Sequence, residues 1–171
     1  MLDSLLNYTD WLMNRVADAC RTLPAGLFTA PTIFPNGRAL GNGSLRDTFL
    51  HMAMIEHRWV GIRLLGQPYR PTGEQFPPHA YPDPDRVMDV WQSGRALTTQ
   101  WLSAHAAELD TPQEMQGIFG RASFRATPRD LLMHALTHTI SHRGDITSQL
   151  SFLAVEPPIL DYVIYAQSKS I

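Results

Sequence analysis

The chain has 171 residues, the length of one ordinary domain, and 44% of them are hydrophobic. A core large enough to fold without disulfides is therefore expected. The formal net charge is −2, from 14 basic and 16 acidic residues, and the absence of Lys/Arg clusters argues against a nucleic-acid partner. A single cysteine, Cys20, excludes an internal disulfide framework. With neither a signal-peptide pattern nor about 18 consecutive apolar residues, we expect one cytoplasmic domain, residues 1–171, without a membrane partner.

Four segments show helical periodicity, and connectors rich in Pro and Gly separate them. The first helix is predicted over about Leu2–Leu23, where apolar residues recur every three or four positions and Pro24 ends the pattern. The second begins at Ser44, with Asp47 as the acidic partner of a capping box, and ends at about Leu65. Because its apolar residues cover most of the circumference, we expect a central position or a dimer contact.

The third and fourth helices both have clear start signals. The third is predicted from Asp83 as N-cap, with Pro84 at the first helical position, to about Leu109. The fourth begins at Thr127, again followed by a proline, and runs to about Leu153.

Short and long connections complete the predicted topology. Apolar residues over Met115–Arg125 flank Gly120 and Arg121, which predicts a short hairpin between helices 3 and 4. The connectors at 24–43 and 66–82 are long and are expected to wrap the ends of the helices or cover a cavity. The predicted fold is all-α, a four-helix bundle with long connections.

The fourth predicted helix carries His134, His138 and His142 at intervals of four. At about 100° per residue, His138 and His142 lie in the middle of the apolar stripe and His134 at its edge. Side chains four residues apart share a helix face, so two imidazoles can reach one ion. Burying them unpaired would cost about 2 kcal/mol or more for each polar group. A metal site is therefore favoured over two neutral, hydrogen-bonded histidines.

A third ligand has to come from another segment. His51 and His57 both lie in the second predicted helix, but their side chains point about 240° apart and cannot share one ion. Geometry alone does not choose between them. His79 and His105 are expected on a loop and on a helix surface.

Two familiar metal sites are excluded. A ferritin-like di-iron centre needs Glu-x-x-His pairs, yet neither Glu56 nor Glu108 in the predicted helices has a His three residues later. A zinc protease with the H-E-x-x-H motif is excluded because no Glu follows His134 or His138.

A set of motifs, in order along the chain, resembles one known family. They are Gly41-Asn42-Gly43-Ser44-Leu45-Arg46, then His51, Glu56 and Trp59, then His138-Thr139-Ile140-Ser141-His142-Arg143-Gly144, and finally Pro157-Pro158 with Asp161. The combination is similar to the DinB/YfiT-like proteins, whose fourth helix usually carries H-x-x-x-H-R-G-Q before a Pro-Pro-x-x-D segment. The resemblance covers essentially the whole chain. It implies a four-helix bundle, often a homodimer, that holds a divalent metal ion through three histidines.

Carried over residue by residue, the resemblance implies His51, His138 and His142 as the metal ligands. Imidazoles suit several divalent ions, of which zinc or nickel is expected. The family's Gln after Arg-Gly is Asp145 here. Its carboxylate either orients a ligand imidazole or a metal-bound water, or faces solvent, and solvent is slightly favoured. Arg143 is expected to pair with neighbours of Asp145 or with a dimer partner.

Three histidines leave one position of a tetrahedral ion open. Such an ion lowers the pKa of bound water from about 15.7 to about 7, and it can also hold a thiolate. Because members of this family are described as metal-dependent hydrolases or thiol-dependent transferases and isomerases, the leading hypothesis is a metalloenzyme acting on a small molecule, including thiols. The alternatives are a non-catalytic metal-binding or ligand-binding bundle with a stress-related or interaction role, and a metal-free histidine network. Trp59 or Trp91 over the open position would argue against catalysis.

Overall fold

The computed structural model describes residues 2–115, 117 and 122–169, most of which are helical. The α-helices are α1 (Leu2–Arg21), α2 (Leu45–Ala53), α3 (Thr72–Gln75), α4 (Pro84–His105), α5 (Pro128–Ser141), α6 (Arg143–Phe152) and α7 (Tyr162–Ser168). A π-helix covers His57–Ile62, and 3-10 turns cover Pro78–Ala80 and Ala106–Glu108. The strands are β1 (Pro31–Ile33), β2 (Ala39–Ser44), β3 (Gln113–Met115) and β4 (Phe124–Ala126).

The helix starts predicted from capping residues are confirmed. The Ser44 hydroxyl accepts the Asp47 N–H at 3.1 Å before α2, and the Asp83 side chain caps α4. Thr127 and Asp130 form a reciprocal capping box at the start of α5. Such caps satisfy backbone donors that the first helical turn leaves free.

The second and fourth predicted helices are each divided. The second is divided by a turn that separates α2 from the π-helix. After the π-helix begins, the Leu65 N–H donates to the Val60 carbonyl, five residues earlier, at 3.0 Å. The fourth is divided at His142, between α5 and α6, where ψ is −6°, compared with about −42° in a regular α-helix. The Ile146 N–H still reaches the His142 carbonyl at 3.1 Å, so the chain direction continues. π-Helical segments are often found at functional sites.

The all-α prediction is wrong in part, because two small antiparallel sheets accompany the helices. β3 pairs with β4, with Met115 opposite Phe124. This pairing confirms the hairpin predicted between the third and fourth helices. Its predicted turn at Gly120 and Arg121 lies outside the described residues.

The β1–β2 hairpin, in the first long connector, was not predicted. The Gly37 N–H donates to the Phe34 carbonyl at 2.8 Å, and the Phe34 N–H to the Arg38 carbonyl at 2.9 Å. Gly37 has φ +80°, a conformation that favours glycine. The Asn36-Gly37 pair is a strong hairpin signal, but the flanking strands are too short and irregular to show alternation.

The second helix occupies the centre of the molecule. α2 packs against α4, α5, α6 and β2, and α1 packs against α4 and α5. Phe49 and Met52 of α2 are fully buried, as are Leu12 of α1 and Ile146 of α6. The central position expected from its apolar circumference is confirmed.

A polar network around Glu56, called here the Glu56 network, joins α1 and α4 to the segment before the π-helix. Glu56, 1% exposed, lies with Oε1 at 3.2 Å from Nη2 of Arg95, and its other oxygen accepts the Thr98 hydroxyl. Arg95 Nε also donates to Asp10 at 3.1 Å, as does the Trp91 ring N–H at 2.9 Å. Burial raises the pKa of Glu56, whereas Arg95 and Thr98 oppose that rise. The members of the Glu56 network come from α1, α4 and the segment before the π-helix, so the network links these elements.

Candidate metal centre

Three histidines from two parts of the chain converge on one point. His51 comes from α2, His138 from α5 and His142 from the junction of α5 and α6. One ring nitrogen from each can be chosen so that all three lie within 4.8 Å of one another. The ring centroids lie 4.9 Å apart for His51 and His138, 4.8 Å for His51 and His142, and 4.7 Å for His138 and His142. This half-buried group could hold a metal ion.

Two of the three imidazoles are held in the neutral form. Burial, with help from the nearby charges of His142 and Arg58, lowers the pKa of His51 to about 4, against an opposing effect of Asp145. Burial and the neighbouring histidines also lower the pKa of His138 to about 4. Since a metal binds the neutral imidazole, the lone pairs of both rings are available at neutral pH.

Asp145 hydrogen-bonds to the third histidine. Its Oδ2 lies 2.7 Å from Nδ1 of His142. The carboxylate accepts the Nδ1–H, which directs the lone pair of the ring to Nε2. The Asp145 side chain is 41% exposed and so also meets solvent, the alternative slightly favoured from the sequence, but its hydrogen bond supports the orienting role.

One ring nitrogen of His138 fits a metal better than a hydrogen-bond network. Nδ1 of His138 is buried and has no hydrogen-bond partner among the described residues. Buried polar atoms without a partner are uncommon and unfavourable. Together with the convergence of three imidazoles, this argues against the metal-free histidine network.

The β1–β2 hairpin packs against the site through a glycine. Gly41 has φ +51°, and a Cβ there would lie 2.5 Å from Thr48 Oγ1 and 3.3 Å from the Asp145 Cβ. On the same side, the Gln149 amide of α6 donates to the Leu40 carbonyl at 3.0 Å. The strand therefore reaches Thr48 and Asp145 only because residue 41 lacks a side chain. The glycine-rich start of the second helix is the sequence signal for this approach.

His57 is directed away from the three-histidine group. Its Nε2 lies 3.1 Å from the Val90 carbonyl and 3.1 Å from the Ser93 hydroxyl, both on α4. The structure therefore brings together His51, and not His57, with the two histidines of the fourth helix. His79 is exposed, as expected, and His105 Nδ1 lies 3.2 Å from the Trp101 carbonyl.

The His134 ring contacts both Trp59 and the three-histidine group, since its centroid lies 5.9 Å from that of His138. The Trp59 ring lies 4.2 Å from that of His134, and the Arg63 guanidinium lies 3.9 Å above Trp59. His134 is exposed, at the edge position predicted for it. The Trp91 ring N–H donates to Asp10 of the Glu56 network, so both tryptophans have partners other than the three histidines.

Arg143 connects two of the sequence motifs. Its Nη1 lies 3.5 Å from Asp161 Oδ1 and donates to the Tyr8 hydroxyl at 3.2 Å. The pairing with neighbours of Asp145 expected from the sequence is thus replaced by a contact to the Pro-Pro-x-x-D segment. This contact ties the end of the chain to α1 and α6.

Across residues 2–115, 117 and 122–169, no helix combines the length and apolar character that crossing a bilayer requires. A comparison with curated proteins gives no match. The sequence model described as the DinB family matches residues 1–170, essentially the whole chain. On this match, in agreement with the order of the motifs and the three-histidine group, the chain belongs to the DinB family.

Proposed function

We propose that the protein is a metalloenzyme in which His51, His138 and His142 hold one divalent ion, zinc or nickel. The observation that carries the proposal is the approach of three imidazole nitrogens to within 4.8 Å of one another. Membership of the DinB family is compatible with metal binding. The substrate is a small molecule, and the reaction is either its hydrolysis or a transfer reaction in which a thiol is the nucleophile.

Three neutral imidazoles are a suitable donor set for such an ion. When bound, an ion with an open position lowers the pKa of a water or a thiol and so supplies a nucleophile at neutral pH. The chain contributes the orientation of its ligands. Asp145 keeps the proton of His142 on Nδ1, and the burial of His51 and His138 keeps both rings unprotonated.

The location, the oligomeric state and the helix bundle are part of the same proposal. We infer a cytoplasmic homodimer whose four principal helical segments form a bundle around the site: α1, α2 with the π-helix, α4, and α5 with α6. The net charge of −2 supports a small-molecule partner over nucleic acid. Light scattering coupled to size-exclusion chromatography tests the dimer.

Metal content measured by elemental mass spectrometry on untagged protein tests the site. We expect about one divalent ion per chain, and its loss in the single variants His51→Ala, His138→Ala and His142→Ala. His134→Ala is the matched control, since this exposed histidine lies one turn before His138 on the same helix and is not part of the group that could hold the metal. Full metal occupancy after replacement of all three histidines would overturn the proposal.

Activity assays on the metal-loaded protein then test catalysis. Ester hydrolysis and thiol transfer to an electrophile are the two reactions to screen, with His138→Ala as the inactive reference. Turnover that requires the metal supports the enzyme. A fully loaded protein without either activity would favour the non-catalytic metal-binding alternative.

A further inference from the structure

A cavity of about 220 Å³ borders the three-histidine group. It lies between α2 and the second long connector, which carries α3 and the 3-10 turn Pro78–Ala80. His51 forms part of its wall. The expectation that a long connector covers a cavity is met here.

The wall of the cavity is mainly apolar. Its apolar side chains are Leu50, Met54, Phe76 and Pro78. Asp47 also borders it, but this carboxylate accepts the Ser44 hydroxyl at 2.8 Å and the Arg46 Nε–H at 2.9 Å. Its charge is therefore already compensated, and Asn42 and Thr72, which also line the cavity, are uncharged. An ion in the cavity would lose hydration without meeting a free opposite charge in the wall.

We propose that this cavity binds an uncharged apolar group of the substrate, such as an aryl ring or a short branched alkyl chain. The inference rests on the proposed function, because it places that group beside His51 and hence beside the reacting atom. Sites that enclose a whole drug-sized ligand measure roughly 300–1,000 Å³. A space of about 220 Å³ suits one substituent of the substrate.

The connector contributes a glycine, which has no side chain, to the wall of the cavity. Gly73 of α3 lines the cavity, and a Cβ built on it would meet nothing within 4 Å. Its backbone is not in the left-handed region, so a larger residue fits without strain. Phe76, on the same connector, is buried and lies 5.2 Å from the His57 ring, which fixes the connector to the second helix. A larger side chain can therefore be added at position 73, on the cavity wall, while the connector stays in place.

Thiol binding to the cobalt-loaded protein tests the proposal without an activity assay. The probes are benzyl mercaptan and 2-mercaptoethanol, and the readout is the thiolate-to-cobalt charge-transfer absorbance. Because burial of an aromatic ring in an apolar cavity is favourable, we expect benzyl mercaptan to bind at least about tenfold more tightly than 2-mercaptoethanol.

A pair of variants assigns that preference to the cavity. Gly73→Leu is expected to reduce the preference for benzyl mercaptan about tenfold, with cobalt content and 2-mercaptoethanol binding unchanged. Glu74→Leu, which adds the same side chain at an exposed position outside the cavity wall, is expected to retain the preference. The expected pattern in both variants supports the proposal.

The possible failures are distinguishable. Equal affinity for the two thiols in the unmodified protein, or a preference that survives Gly73→Leu, would overturn the cavity proposal and leave the metal centre in place. A protein that binds no cobalt would overturn both proposals.

Discussion

The second helix and its continuation place two polar groups in the interior, five residues apart, and the two are built differently. Glu56 lies in a network in which its carboxylate pairs with the Arg95 guanidinium and accepts the Thr98 hydroxyl. His51 instead faces two other imidazoles, and the neighbouring His138 has a buried nitrogen without a partner among the described residues. Glu56 is buried, whereas the histidine group is half-buried and brings three ring nitrogens within 4.8 Å of one another.

The difference separates a structural polar core from a binding site. A buried charge is tolerated when opposite charges and hydrogen bonds compensate it, and such a network holds its helices in place. Three imidazole nitrogens that lie close together are a suitable donor set for a cation, which would also provide a partner for the buried nitrogen of His138. The Glu56 network therefore contributes to stability, whereas the histidine group could hold a metal ion.

The largest expected effect on stability comes from removing the cation of the Glu56 network. Arg95→Ala leaves Glu56 buried without its cation and is expected to lower the free energy of unfolding by about 3–5 kcal/mol. Urea denaturation measures this loss. Arg21→Ala is the control, because its ion pairs with Asp18 and Asp85 are exposed and exposed pairs contribute only about 0–1 kcal/mol. Equal losses in the two variants would contradict the distinction.

Removal of the Asp145 charge is expected to act on the open site. Asp145→Asn keeps the shape of the side chain but weakens the acceptor for His142 Nδ1–H, so metal affinity should fall about 10–100-fold. Competition with a chelator measures it. Asp89→Asn, an exposed position on α4, should leave the affinity unchanged. Unchanged affinity in Asp145→Asn would remove Asp145 from the site.

The contact between the β1–β2 hairpin and the site is tested at Gly41. Gly41→Ala places a Cβ 2.5 Å from Thr48 Oγ1 at a φ of +51°. We expect a loss of about 1–2 kcal/mol in the free energy of unfolding of the metal-free protein. Gly73→Ala, where a Cβ meets nothing within 4 Å, is the control. If both variants are equally stable, the hairpin does not depend on this close approach.

A smaller effect is expected from acid, because His51 and His138 remain partly exposed. Burial lowers the pKa of both to about 4 from the ordinary value of 6.5. Between these values the folded chain binds fewer protons than the unfolded chain, so the metal-free protein should lose stability as pH falls from 6.5 to 4. Urea midpoints across this range measure the slope. His138→Ala should reduce the slope, whereas His79→Ala, at an exposed position, should leave it unchanged.

Much of the fold follows from local signals. The caps at Ser44, Asp83 and Thr127 and the proline after each of the last two mark the helix starts, and the structure confirms them. These signals depend on a few adjacent residues, so the sequence alone reveals them. The β1–β2 hairpin escaped prediction because β1 is short and its register with β2 is irregular, and because β2 packs against α2 and α6, which a local pattern does not reveal.

The sequence by itself determined that His138 and His142 share a helix face, because the angle between residues four apart is a property of the helix. It did not determine from geometry whether His51 or His57 joins them. Only the tertiary structure decided this, since the packing of α4 supplies hydrogen-bond partners for His57 and turns His51 towards α5. The Asp145–His142 hydrogen bond, the close approach of Gly41 and the cavity beside His51 were decided there as well. Each depends on which neighbouring element faces a given side chain, and periodicity within one helix carries no information about that.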